Sequence, residues 1–172
     1  MKKITTLIIV LVLSMQLLIV NVFAGVNQIY EPKPVSTKSN LLDKNQSYDK
    51  VTEKSALRGN FFMGADLVIT DEGNGNVGAL ATAYLEVPVE EVYISVYLDQ
   101  YNEDNDTWYQ VAYYDAEFYE KDYPDGINYP SVNITFQKVK RGYYYRLRSA
   151  FSAVKDNQFE GFSPVTSGIW IE

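Results

Sequence analysis

Tyrosine and arginine side chains alternate with aliphatic ones in two stretches of this chain, and their chemistry is that of ligand binding. In the first stretch Tyr93 and Tyr97 fall between Val and Ile positions, and in the second Tyr144, Arg146 and Arg148 alternate with apolar residues. Alternate residues of a strand point to opposite faces. If the two stretches pair in one sheet, the five side chains form one exposed aromatic and cationic face. Tyrosine rings on such a face bind sugars and anchor protein interfaces.

The same five residues also fit a purely structural arrangement. Tyrosine and arginine on neighbouring strands stack on each other and stabilise the sheet without any ligand. The sequence leaves both interpretations open.

A second aromatic region lies between Tyr113 and Tyr129 and combines tyrosines with acidic side chains. Its loop, residues 119–130, contains a Tyr-Pro-Asp-Gly turn that begins at Tyr123. Loops of about 12 residues are often functional. Tyr123 and Tyr129 are therefore candidate contacts to a glycan or to a basic surface, with a simple connection between two strands as the alternative.

The chain contains no histidine and no cysteine, which excludes several catalytic mechanisms. Serine and cysteine triads use an imidazole base, and zinc sites are built mostly from His and Cys. Two carboxylates can hydrolyse a glycoside, but nothing in the sequence pairs two acids in a cleft. Glu103, Asp104 and Asp106 lack the glycine of a calcium-binding loop. We therefore predict no catalytic residue, no metal site and no cofactor.

The first 24 residues have the pattern of a secretory signal peptide. Lys2 and Lys3 precede a long apolar stretch, and the residues from Val22 to Ala24 fit the site that a signal peptidase cleaves. An apolar stretch of about 20 residues is also long enough to be retained as a membrane span. We predict cleavage, and hence a secreted protein with no stable membrane insertion.

Without that leader the charge balance is strongly acidic. The chain has 15 basic and 22 acidic side chains, and two of the lysines lie in the leader, so 13 − 22 gives a net charge of −9. This sign disfavours nucleic acid as a partner, because phosphates require a basic footprint. A glycan or a protein at the cell surface is the expected partner, and the oligomeric state is left open.

Residues 25–57 differ from the rest and are predicted to form a flexible polar linker. Prolines disfavour helix in this segment, and it shows no sustained apolar stripe. Over residues 58–172 the apolar period becomes two, which is typical of half-buried β-strands. Seven strands are predicted, at residues 63–70, 77–87, 91–101, 107–118, 131–139, 143–154 and 165–171.

The size and rhythm of these strands predict an all-β domain, a seven-stranded antiparallel sandwich that is immunoglobulin-like or fibronectin type III-like. In such a sandwich the third and sixth strands pair, as the aromatic and cationic face requires. Trp108 and Val111 break the alternation of the fourth strand, so we expect a β-bulge near Tyr109 and Gln110.

Two resemblances support this fold. The stretch from Gly142 to Arg148 resembles the sixth strand of fibronectin type III domains, with a turn glycine and then a corner tyrosine, and residues 162–164 resemble that family's final loop. Residues 58–172 are also similar to a group of small secreted proteins of Gram-positive bacteria, in the Gly73–Val77 turn, the Trp108 hairpin, residues 142–146 and the closing residues 167–171. These resemblances imply the fold and export, and they assign no activity.

We therefore expect a secreted, non-catalytic binding or surface-interaction module whose ligand is a carbohydrate or a protein. The alternatives are a small carboxylate-dependent glycoside hydrolase and a purely structural component of the cell envelope.

Overall fold

Two antiparallel β-sheets make up the described part of the chain, which is all-β. The computed structural model describes residues 27–54 and 61–172, so the predicted signal peptide, residues 1–24, lies outside the described residues. The described strands are β1 Asn27–Val35, β2 Tyr48–Lys54, β3 Phe62–Gly73, β4 Asn76–Leu85, β5 Glu91–Asn102, β6 Thr107–Tyr119, β7 Ser131–Phe136, β8 Tyr143–Lys155, β9 Gln158–Phe162 and β10 Ile169–Ile171. In these ranges a 3-10 turn at Glu120–Asp122 is the only helical element, and no helix has the length and apolarity to cross a membrane.

The strands divide between a six-stranded and a four-stranded sheet. In the larger sheet the order is β1-β6-β5-β8-β10, and β9 pairs with the C-terminal end of β8. In the smaller sheet the order is β2-β3-β4-β7. The third and sixth predicted strands, β5 and β8, are neighbours as expected. Each of the seven predicted strands overlaps an observed one, but the described chain has ten strands, since β1, β2 and β9 were not foreseen.

The inner faces of the two sheets are apolar and pack against each other. In β5 the alternation is complete, because Val92, Ile94, Val96 and Leu98 all point inward and have no exposed surface. In β4 most inward positions are alanine, and larger side chains such as Phe151 of β8 supply the bulk of the same core. Removal of this apolar surface from water is the main force that holds the two layers together.

A β-bulge in β6 decides which way its tryptophan points. The register of β5 and β6 shifts between Leu98 and Asp99, and Val111 is the extra residue of β6. The predicted bulge is therefore confirmed, one position beyond the expected pair. Because of the extra residue, Trp108 lies opposite Tyr101 on the outer face of the sheet.

The turn before β8 is fixed by a tyrosine. Tyr145 is buried, and its hydroxyl donates a hydrogen bond to the Lys140 carbonyl oxygen at 2.8 Å. Between them Gly142 has a φ of 80°, a value that glycine adopts without strain. Burial raises the pKa of the Tyr145 hydroxyl, which keeps it a hydrogen-bond donor. This contact has the form of the tyrosine corner of immunoglobulin-like domains.

The segment predicted to be a flexible linker, residues 25–57, instead contributes strands to both sheets over its described part. β1 pairs with β6 at an edge of the six-stranded sheet, and β2 pairs with β3 at an edge of the four-stranded sheet. β1 contains two prolines, which a strand tolerates at a sheet edge. In β2 the residues alternate between exposed and half-buried, so this strand has no buried apolar stripe to reveal it in the sequence.

Candidate functional site

The outer face of the six-stranded sheet contains the five tyrosine and arginine side chains predicted to form a binding face. Of these, Tyr97 and Arg148 are cross-strand neighbours. The Arg148 guanidinium carbon lies 4.9 Å from the centroid of the Tyr97 ring. Nε of Arg148 donates to Asp99 at 2.7 Å, and Nη2 donates to Gln110 at 2.9 Å. Arg148 is thus engaged by three neighbours, as in the structural alternative described above.

Tyr144 and Arg146 are buried, which corrects the expectation that they belong to an exposed face. Arg146 has no exposed surface, and Tyr144 is 8% exposed. Nε of Arg146 donates to Asp99 at 3.0 Å, and the guanidinium carbon lies 4.3 Å from the centroid of the Trp108 ring. Asp99 and Trp108 are buried as well. A ligand can reach Arg146 only if Trp108 or another residue that covers it moves.

The N-terminal segment closes this part of the face. β1 lies at one edge of the six-stranded sheet, and Leu41 forms a bridge with Gly168 at the other. Residues 36–40, which we call the crossing segment, therefore connect the two edges. A Cβ placed on Gly168 would lie 2.7 Å from Cη2 of Trp108 and 3.1 Å from Cδ2 of Leu41. Trp108, Gly168 and Leu41, the residue that directly follows the crossing segment, are therefore in close contact.

The aromatic residues at the end of this face are covered in the same way. The rings of Tyr144 and Trp170 pack edge to face, with centroids 5.1 Å apart. Lys44, from the same N-terminal segment, places its ammonium 3.5 Å from the centroid of the Trp170 ring. Both tryptophans of the chain are thus cation–π partners of a basic side chain, Trp170 of Lys44 and Trp108 of Arg146.

The buried centre of this face contains one more positive charge than it has negative charges. Asp99 forms ion pairs with both Arg146 and Arg148. Burial lowers the pKa of Arg146, and the charge of Asp99 opposes that effect. Among the described residues, Nη1 and Nη2 of Arg146 have no hydrogen-bond partner. The charge of Arg146 therefore depends on Asp99, because a buried charge without a partner is costly.

Tyr93 lies toward the other end of the same face and is half-buried. Its hydroxyl donates a hydrogen bond to the Glu91 carboxylate, and its ring packs edge to face against Tyr119 with centroids 6.3 Å apart. The hydrogen bond to Glu91 raises the pKa of Tyr93. Tyr93 and Tyr97 keep part of their surface in solvent, but each is engaged by a neighbour of its own sheet.

The two candidate tyrosines of loop 119–130 have different surroundings. The ring of Tyr123 packs against Phe118 with centroids 6.2 Å apart. Tyr129 is 66% exposed, and its ring packs 6.1 Å from that of Tyr84 in the four-stranded sheet. Tyr129 therefore belongs to a different surface from the residues of β5 and β8.

That surface is the outer face of the four-stranded sheet, which we call the open face. The register of β2, β3, β4 and β7 arranges its side chains in four cross-strand rows, and every row includes an exposed side chain. The members are Tyr48, Thr70, Gly78 and Thr135; Lys50, Val68, Leu80 and Asn133; Thr52, Asp66, Thr82 and Ser131; and Lys54, Gly64 and Tyr84, with Tyr129 beside Tyr84. Strand spacing and rise give this face dimensions of roughly 14 by 20 Å.

Asp66 is the polar centre of the open face. Its carboxylate accepts hydrogen bonds from the Thr52 hydroxyl at 2.6 Å and the Tyr84 hydroxyl at 2.7 Å, and it forms an ion pair with Lys50 at 2.7 Å. Burial acts to raise the pKa of Asp66, but the hydrogen bonds from these three groups hold it below its usual value. The hydrogen bond with Asp66 raises the pKa of both Tyr84 and Lys50. Asp66 is therefore an ionised acceptor that fixes its neighbours.

Exposed apolar side chains surround this polar centre. Tyr48 is 52% exposed and Leu80 is 37% exposed. Tyr48 on β2 and Tyr129 at the start of the β7 ladder lie at opposite corners of the face. A sheet surface with rings at its corners and hydroxyl groups between them can hold an extended ligand that has both apolar and polar sides.

Sequence reasoning found Tyr129 but missed the other members of the open face. The signal was present in β3 and β4, where Asp66, Thr82 and Tyr84 alternate with buried residues. Without β2 as a strand, however, Asp66 had no visible partner, because Lys50 and Thr52 come from that strand.

In the described part of the chain, no three side chains of Asp or Glu are grouped so that they could hold a metal ion. No protein-family model matches this chain, and no curated protein matches its sequence. The resemblances to fibronectin type III domains and to small secreted proteins of Gram-positive bacteria stay predictions.

Proposed function

We propose that this protein is an exported, non-catalytic binding module that holds a carbohydrate on the open face. The observation that carries the proposal is the exposure of Tyr48 and Tyr129 at opposite corners of a sheet surface whose polar centre, Asp66, is fixed by its neighbours. A tyrosine ring removes the C–H side of a sugar from water, and the hydroxyl groups between the rings exchange hydrogen bonds with sugar hydroxyls.

Preorganisation of the open face favours such a ligand. The Tyr84 hydroxyl is held by Asp66, and the Tyr84 ring packs against Tyr129. The hydroxyls of Thr82 and Ser131 are 2.9 Å apart and already oriented. Groups that are ordered before the ligand arrives lose little entropy when it binds.

Charge favours a neutral glycan over an acidic one. The exported chain, without its predicted leader, has a net charge of −9, which repels polyanions. On the open face itself, Lys50 is paired with Asp66, and Lys54 is the one charged member without an ion pair among the described residues, which is too little to offset the charge of the whole chain. The leader pattern of residues 1–24 supports export. An exported protein can encounter the neutral glycans of a cell envelope or an extracellular matrix.

The same geometry supports binding rather than hydrolysis. Hydrolysis by carboxylates requires a protonated acid, and enzymes obtain it by raising the pKa of one carboxyl group. The pKa of Asp66 is lowered instead, because Lys50, Thr52 and Tyr84 stabilise its ionised form against the effect of burial. Asp66 is thus suited to accept hydrogen bonds and not to protonate a leaving group.

We also propose that seven of the ten strands form a fibronectin type III-like core. The support is the way in which the seven predicted strands divide between the two sheets. The first, second and fifth lie in one sheet, as β3, β4 and β7, and the third, fourth, sixth and seventh lie in the other, as β5, β6, β8 and β10. In a constant immunoglobulin domain the fourth strand lies instead in the same sheet as the first, second and fifth. In this description β1, β2 and β9 are additions to that core.

A panel of neutral and acidic glycans, probed with the exported protein, tests the function. We expect binding to neutral glycans, weakened at least about 10-fold by Tyr48→Ser and by Tyr129→Ser, because ring anchors dominate the energy of such contacts. Tyr97→Ser is the matched control, since it removes a half-exposed tyrosine from the other sheet face.

Three outcomes would reject the proposal. A blank panel together with specific capture of a protein would assign the open face to a protein partner. Retention on cell envelopes that is unaffected by Tyr48→Ser and Tyr129→Ser would favour a structural component. Release of reducing ends from any bound glycan would favour a hydrolase.

A further inference from the structure

β7 differs from the other long edge strands of the described chain because it contains neither a charged residue nor a proline. It spans Ser131–Phe136 and is the last strand of the four-stranded sheet. β2, at the opposite edge, contains four charged side chains, and β1, an edge of the other sheet, contains two prolines. Charges and prolines protect sheet edges from pairing with other chains. The edge of β7 has no such protection.

The free side of β7 presents backbone groups that point away from the sheet. The Ala83 N–H donates to the Pro130 carbonyl at 3.0 Å, in the same register that continues along β7. In an antiparallel ladder, residues that bond the neighbouring strand alternate with residues that face away from it. The even-numbered residues of β7 therefore bond β4, whereas Ser131, Asn133 and Thr135 direct their N–H and C=O groups to a side where no described strand lies.

Along the chain, residues of opposite charge precede and follow β7. The exposed residues 120–125 before it include three carboxylates and one lysine, and residues 138–141 after it include three exposed basic side chains. The acids are Glu120, Asp122 and Asp125, and the bases are Lys138, Lys140 and Arg141. Within the described residues, none of these six forms an ion pair. Glu72 also approaches the second end, but its carboxylate accepts a hydrogen bond from Thr135.

We propose that two copies of this chain pair through β7 in an antiparallel, two-fold symmetric dimer. In that arrangement the segment before each β7, in which Asp125 is the acid nearest to the strand, runs toward the basic residues 138–141 of the other copy, so the charges are complementary at both ends. Ser131, Asn133 and Thr135 supply the backbone hydrogen bonds. Two four-stranded sheets then form one continuous sheet with both open faces on the same side. The dimer would double the binding surface, but its existence does not depend on the ligand proposed above.

Analytical ultracentrifugation of the exported protein tests the pairing. We expect a dimer at low ionic strength that weakens as salt is added, because the end charges are exposed. Asn133→Pro removes an outward N–H and no bond to β4, and we expect it to weaken the dimer at least about 10-fold. Asn133→Ala retains that N–H and is the matched control, for which we expect an unchanged dimer.

A charge exchange separates pairing from misfolding. One variant carries Lys138→Glu, Lys140→Glu and Arg141→Glu, and a second carries Glu120→Lys, Asp122→Lys and Asp125→Lys. Each alone has ends of like charge and should be monomeric. An equimolar mixture should form a mixed dimer, because acidic and basic ends then meet at both sites.

A wild-type protein that sediments as a monomer at low salt would overturn the proposal. A dimer that persists unchanged in Asn133→Pro, or a mixture of the charge variants that stays monomeric, would do the same. Failure here is distinguishable from failure of the glycan proposal, since a monomer that binds glycans rejects only the dimer and a dimer that binds none rejects only the ligand.

Discussion

The outer face of the six-stranded sheet contains both tryptophans and a fully buried arginine, and the N-terminal segment of the chain packs against one end of this face. The outer face of the four-stranded sheet contains threonines, two lysines, one aspartate and three tyrosines, and the described residues leave it exposed. The face with the tryptophans therefore includes a stabilising layer, and the face without them is the accessible surface. Accessibility is decided by where the rest of the chain runs.

The largest difference between the faces should appear when their aspartates are removed. We expect Asp99→Ala to lower the free energy of unfolding by about 3–5 kcal/mol, because it leaves Arg146 buried without its counter-charge. Asp66→Ala, in the open face, should cost about 1 kcal/mol or less, because its neighbours can turn to water. Urea denaturation measures both values. Equal losses would contradict the distinction between a closed and an open face.

Close packing under the crossing segment should make Gly168→Ala destabilising. The added Cβ would meet Trp108 and Leu41, and we expect a loss of about 1–3 kcal/mol from overpacking. Trp108→Phe in the same background should recover part of that loss, since a smaller ring makes room, and the two effects would then be non-additive. A Gly168→Ala protein as stable as wild type would show that the segment lies loosely on the face.

Protonation of Asp66 should give the open face a pH dependence. The folded-state pKa of Asp66 is lowered, so its stabilisation is complete above the unfolded-state value of about 3.9 and is lost as pH falls through the lower folded-state value. The stability gap between wild type and Asp66→Asn should therefore be largest near neutral pH, at about 1 kcal/mol or less, and should shrink below pH of about 4. A gap that is constant with pH would contradict this assignment.

The smallest effect on stability is expected for Tyr129→Ser. Its side chain is 66% exposed, and surface substitutions of this kind change the free energy of unfolding by about 0.5 kcal/mol or less. Thermal denaturation should place this variant beside wild type. A larger loss would mean that the contact between Tyr129 and Tyr84 supports the fold rather than a ligand.

The pairing of β5 with β8 was predictable, because the inward aliphatic residues of β5 alternate without a break and the sandwich brings its third and sixth strands together. The bulge in β6 was also readable from the spacing of Trp108 and Val111. The contacts of Trp108 could not be predicted from the sequence, because the tryptophan packs against Arg146 and Gly168, which lie far along the chain.

The N-terminal segment escaped sequence reasoning for a physical reason. The contacts of the crossing segment and its flank are isolated ones, such as the Ser39 hydroxyl to the Thr166 carbonyl and the bridge of Leu41 with Gly168, and such contacts leave no periodic pattern. β2 alternates only between exposed and half-buried residues. This segment supplies both the contacts at one end of the six-stranded sheet and the partners of Asp66, Lys50 and Thr52, on the four-stranded sheet.

Chemical-shift mapping by NMR with a bound neutral glycan shows which of the two sheet faces holds the ligand. We expect the backbone amide shifts to change along the open face, at Asp66, Leu80, Tyr84 and Tyr129, while the shifts of Tyr97 and Arg148 on the other sheet face stay at their free positions. Shifts that cluster at Tyr97 and Arg148, with the open face unchanged, would contradict this expectation.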